Sequence, residues 1–161
     1  MAVTTASRVR TAPGVAVLVA LILVLLFGSP AYVDWAARNA GNGAWGFFLK
    51  TLSWPAWSFS STQSIQTVLA DDIKAILLIV LTGVFVAALA GSQLASARGS
   101  LSQFLAGWGG YMFAGALSGF IAAFIQVNAS VLGAFGWASL GVVYGLFVGW
   151  IIGLATLGSR R

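Results

Sequence analysis

The amino-acid sequence predicts an all-α integral membrane protein. The expected form is a four-transmembrane-helix bundle with small-residue, GxxxG-type helix packing and an aromatic interfacial outer loop. Three observations predict it. The chain of 161 residues is 60% hydrophobic and only 7% charged, where an ordinary soluble domain is roughly a quarter charged. A single soluble domain cannot bury that much apolar surface. Uncharged apolar stretches also recur at lengths that cross a bilayer, which takes about 20 residues. Finally, glycine recurs at helical spacing inside those stretches, most clearly at Gly141, Gly145, Gly149 and Gly153. Fourth neighbours share one helix face, so these four form a ridge without side chains roughly 18 Å long. Another helix backbone can approach such a ridge closely.

Taken in order, residues 1–12 are polar, carry Arg8 and Arg10, and read as a cytoplasmic tail. Residues 13–33 are uncharged and form the first expected transmembrane helix. The same stretch also reads as a signal peptide, with Val15–Phe27 as its apolar region and Ser29-Pro30-Ala31 as a small-residue cleavage site. Residues 34–72 form the extracytoplasmic loop, with Trp35, Trp45, Trp54 and Trp57 as interfacial anchors, because tryptophan favours the headgroup layer. Ser29-Pro30 predicts a short helix start, Gly41-Asn42-Gly43 its stop, and Pro55 the end of a second short segment over Ala44–Ser53. Ser60-Ser61-Thr62 offers hydroxyls to cap the helix that follows.

The second transmembrane helix covers 73–91. Gly83, Ala87 and Gly91 give it a small-residue ridge, and Lys74 is expected to snorkel towards headgroups from its outer turn. A cytoplasmic loop over 92–101 holds Arg98. The third helix covers 102–125 and carries Gly115 and Gly119 as a GxxxG pair, with Gly107 and Ala123 on the same face. Ala106, Gly110, Ala114, Ser118 and Ala122 lie on a neighbouring face. Residues 126–132 make an outer turn, the fourth helix covers 133–157, and 158–161 form a cytoplasmic C-terminus. Orientation follows from the basic residues. Four spans place Arg8, Arg10, Arg98, Arg160 and Arg161 inside, against Arg38, Lys50 and Lys74 outside.

The residue inventory excludes most site chemistry. There is no histidine and no cysteine, and Asp34, Asp71 and Asp72 are the only acids. Neighbouring side chains on a helix diverge by about 100°, so Asp71 and Asp72 do not converge on one metal, and local pairing with Lys74 accounts for them. A serine nucleophile would need Lys50 or Lys74 as its base, and no motif supports that dyad. Away from their outer ends, where Tyr32 and Lys74 lie, the expected spans hold no ionisable group besides Tyr111 and Tyr144, which argues against ion-coupled transport. Their hydroxyls at Thr82, Ser118, Ser139 and Thr156 are expected to bond carbonyls of their own helices. The eight basic residues are scattered, so nucleic acid is not an expected partner.

These readings converge on a bacterial-type inner-membrane protein that is not an enzyme and carries no catalytic, cofactor or metal site. Its expected partners are the lipid bilayer and either other membrane-protein subunits or further copies of itself. The first function expected is an accessory, scaffolding or assembly subunit of a larger membrane complex. The alternative is a passive channel or small-solute transporter that self-associates through the Gly141–Gly153 ridge.

Overall fold

The structure, a computed structural model, describes residues 11–57, 63–91, 99–126 and 129–159. The described chain is helical throughout, with six helices: α1 (Ala12–Phe27), α2 (Pro30–Asn39), α3 (Ala44–Leu52), α4 (Ile65–Gly91), α5 (Ser100–Ala123) and α6 (Val131–Leu157). α4, α5 and α6 are long and apolar enough to cross a membrane; α1 and α2 pass that test only as a pair, bent by 60° at their junction.

Local chemistry sets the helix ends. Thr11 caps α1 by accepting from the Gly14 N–H at 3.4 Å, with Pro13 in the first turn. The stretch expected as one span over 13–33 is divided between two helices, and Ser29 accounts for the break. Its Oγ donates to the Leu26 carbonyl at 2.8 Å and accepts from the Tyr32 N–H at 3.3 Å, ending α1 and starting α2 with one side chain. Pro30 then occupies a helix start, where its missing N–H is harmless. Ser64 caps α4, accepting from the Thr67 N–H at 3.2 Å. Ser60-Ser61-Thr62, expected in that role, lies outside the described residues, as do residues 1–10 of the expected tail 1–12, residues 160–161 of the expected tail 158–161, and residues 92–98 with Arg98. Ser130 caps α6 through the Gly133 N–H at 3.0 Å.

α5 is the central element. It packs against α6 along one face and against α4 along another, while α1 packs against α4 and α6. Several glycines lie where a side chain would meet the neighbouring helix. A Cβ on Gly141 would collide with the Gly115 carbonyl, and one on Gly145 would sit 2.6 Å from the Met112 Cα. One on Gly149 would meet the Trp108 ring at 2.7 Å, and one on Gly153 the Phe104 ring at 2.8 Å. On α5, a Cβ on Gly119 would lie 2.5 Å from the Trp137 carbonyl oxygen, and one on Gly107 would meet Thr156 and the Cα of Gly153. Gly110 turns the other way, where a Cβ would stand 3.0 Å from the Val86 side chain of α4. Ala114, Ser118 and Ala122 are buried on that neighbouring face, and Ala123 is buried as well.

The ridge expected on α4 is distributed differently. A Cβ on Gly83 would stand 2.7 Å from Val17 of α1, Ala87 is exposed, and the surroundings of Gly91 lie outside what is described. Fully buried Tyr111, Tyr144, Leu78, Val86, Val148 and Ile152 fill the centre. Exposed large apolar residues such as Ile76, Val80, Leu105, Phe113, Leu146 and Leu154 cover the outside, the inverse of a soluble protein's surface.

Candidate functional site

The one ion pair among the described residues is formed by Lys74, and that lysine is inside the bundle. It is 5% exposed. Its Nζ donates to Asp71 Oδ1 at 2.8 Å, one helical turn earlier on α4. Two indoles complete its surroundings: the ammonium stands 5.4 Å from the ring centroid of Trp54 and 5.1 Å from that of Trp137. Electron-rich ring faces attract a cation within about 6 Å. Carboxylate and rings together therefore replace the water that Lys74 gives up. The expectation that Lys74 snorkels outward is corrected here, because its stem is held between α4, α6 and the turn after α3.

That turn is what closes the site. After α3, the chain turns at Ser53, where Oγ donates to the Lys50 carbonyl at 2.7 Å, and feeds Trp54-Pro55 into the bundle. Pro55 is fully buried. The Trp54 ring stacks on Tyr144 with centroids 5.1 Å apart and planes at 25°. Gly119 lies beside the ring, where a Cβ would stand 3.2 Å from the indole. Trp57 anchors the far side of the turn, its Nε1 donating to the Val24 carbonyl at 3.1 Å and its N–H to the Gly28 carbonyl at 3.1 Å. Gly28 must be a glycine here, since a Cβ would lie 2.5 Å from the Pro55 carbonyl.

Beneath Trp54, the Tyr144 hydroxyl bonds the Tyr111 hydroxyl at 2.8 Å, both residues fully buried. A continuous run of contacts therefore extends from Asp71 through Lys74, Trp54 and Tyr144 to Tyr111. It ties α4, the α3 turn, α6 and α5 together. Lys74 and the two tyrosine hydroxyls each have a polar partner inside it, so the cluster can hold helices and a loop in register.

The four loop tryptophans expected as interfacial anchors thus divide into two pairs. Trp35 and Trp45 are 45% and 71% exposed, while Trp54 and Trp57 turn inward. α2 and α3 are joined by the Tyr32 hydroxyl, which donates to the Leu49 carbonyl at 3.1 Å. α3 lies along α6, with Phe47 edge-on to Phe147 at 5.6 Å. Phe147 is about 24 Å along the axis from the start of α6. The loop is therefore folded against the bundle wall over much of its height.

Asp34 and Arg38 lie on α2, where Arg38 Nε donates to the Asp34 backbone carbonyl at 3.1 Å. Asp72 lines a groove between α1 and α4, apart from Asp34. The three acids are not brought together. Thr82, Ser118, Ser139 and Thr156 each donate to a carbonyl of their own helix at 2.6–3.0 Å, as expected. Of the cluster, sequence reasoning anticipated the Asp71–Lys74 pairing, whose three-residue spacing is a local signal. The two tryptophans around Lys74 are distant in sequence and left no local trace. No known protein family, curated protein or solved structure matches this chain.

Proposed function

We propose that this protein is a non-catalytic accessory or assembly subunit of a larger membrane complex. The observation that carries this reading is the closed Lys74 cluster. Its lysine already has a carboxylate and two rings as partners, so it acts as a fastener for the loop. What the fastened loop offers outward is an aromatic surface of Trp35, Trp45 and Phe47, the last 50% exposed. Tryptophan and phenylalanine with restricted backbones are the residue types that anchor interfaces. The Gly141–Gly153 ridge lies against α5 of the same chain, which weighs against its serving as the seam of a homo-oligomeric channel.

The deciding experiment is extraction from native membranes in mild detergent followed by intact-complex mass spectrometry. Other polypeptides in fixed stoichiometry, lost when Trp45→Ala and Phe47→Ala are combined, are the expected result. A ring of identical chains that conducts solute in liposomes would replace this reading with the passive channel.

A further inference from the structure

The wall of the bundle carries a second feature, which shares only Trp54 with the Lys74 cluster. Phe47, Lys50, Thr51 and Trp54 face Leu140 and Val143 of α6 across a groove of about 200 Å³. The Thr51 hydroxyl is engaged, donating to the Phe47 carbonyl at 2.8 Å. The one charged group that lines the groove is the ammonium of Lys50. That residue is exposed, and among the described residues the only ion pair is Lys74–Asp71. No acid lines the groove. An exposed cation over an otherwise apolar slot, on a chain with membrane-spanning helices, matches a ligand that is anionic at one end and aliphatic at the other.

We propose that this groove binds an anionic glycerophospholipid of the outer leaflet. Its phosphate sits on the Lys50 ammonium, and the upper part of one acyl chain lies between Phe47, Trp54, Leu140 and Val143. The four-carbon stem of lysine lets the ammonium rise to meet a phosphate while the chain stays against apolar wall. Charge also separates this groove from the larger one, about 380 Å³, between α1 and α4. Leu21, Val24, Ile76 and Ile79 line that second groove together with Asp72 and no Lys or Arg, so it offers no cation to a phosphate. Preference for anionic lipid therefore reports on the Lys50 groove.

The test uses the full chain in non-ionic detergent, with lipid retention read by native mass spectrometry against phosphatidylglycerol and phosphatidylcholine. One phosphatidylglycerol is expected to be retained in preference to phosphatidylcholine. Lys50→Gln is expected to weaken phosphatidylglycerol about fivefold, the effect of one lysine at a membrane surface, and to abolish the preference. Arg38→Gln, an exposed base outside the groove, should change neither. Leu140→Trp, which fills the slot and keeps the charge, should weaken both lipids. Unchanged retention in Lys50→Gln, or equal losses in Lys50→Gln and Arg38→Gln, would overturn the site. So would a co-purifying polypeptide that must be stripped off before lipid binds.

Discussion

A charged side chain taken into an apolar bundle destabilises it unless its charge is met, and Lys74 meets that condition through three groups at once. Removing one member of a buried ion pair costs about 3–5 kcal/mol, because the partner's charge is left uncompensated. The Asp71 side chain is 21% exposed, so water relieves part of the loss, and Lys74→Ala should cost about 2–3 kcal/mol. Denaturant unfolding in detergent micelles measures it. Replacing both partners by apolar residues of similar volume is frequently near neutral. Lys74→Met combined with Asp71→Leu should therefore recover most of that stability. A Lys74→Ala protein as stable as the parent would mean that the lysine is not held inside the bundle. The tyrosine pair obeys the same logic on a smaller scale. Tyr111→Phe leaves the buried Tyr144 hydroxyl without its 2.8 Å partner, at a cost of about 1–3 kcal/mol. The double change to Phe at both positions should cost less than the sum of the two single changes.

At the scale of the helix, the glycines of α5 and α6 separate by what they face. Gly141 and Gly115 face each other's backbone, whereas Gly136 and Gly109, on the same two helices, have nothing within 4 Å of a would-be Cβ. Gly141→Ala should force the helices apart and cost about 1–3 kcal/mol, as overpacking does. Gly136→Ala and Gly109→Ala should be neutral or stabilise by about 0.5–1 kcal/mol through helix propensity alone. The difference between the two sets isolates packing from propensity, and equal behaviour of all four variants in thermal unfolding would remove close packing as the role of these glycines. Helix existence and most helix ends were legible in the sequence because their causes are local: Ser29 before Pro30, the glycines of 41–43, Pro55, and apolar runs of membrane length. Which face of α4 turns inward was not. The small residues Gly83 and Ala87 suggested one contact face, but α5 meets Val86 at Gly110, α1 meets Gly83, and Ala87 is exposed. A pattern of residue sizes on one helix does not specify which neighbour supplies the complementary surface.

The whole molecule poses the question of how many times the chain crosses. α1 has 16 residues, about 24 Å of helix, against a hydrocarbon core of about 30 Å. It is nevertheless part of the core, with Ala16 and Ala20 at 0% exposure and Leu23 and Val24 also buried. Loss of residues 1–31 would uncover the apolar surface that α1 covers on α4 and α6. Local sequence could not decide this, because a short apolar helix reads alike as a signal segment, a short span or a packed core element. The inward turn of Trp54 and Trp57 was equally invisible, since it places them beside Gly119, Tyr144 and Val24. Basic residues predict that both termini are cytoplasmic, which requires α1 to cross along with α4, α5 and α6. Because the chain contains no cysteine, single-cysteine variants report this without background. With α1 crossing, Thr4→Cys and Ser159→Cys should both react with a membrane-impermeant maleimide only after the cells are opened, while Asn42→Cys reacts in intact cells. The 24 Å of α1 would then be matched by thinning of the bilayer or by the loop packed beside it. Labelling of Thr4→Cys in intact cells, with Ser159→Cys still protected, would instead establish three spans and place α1 as a helix packed against them from the outer side.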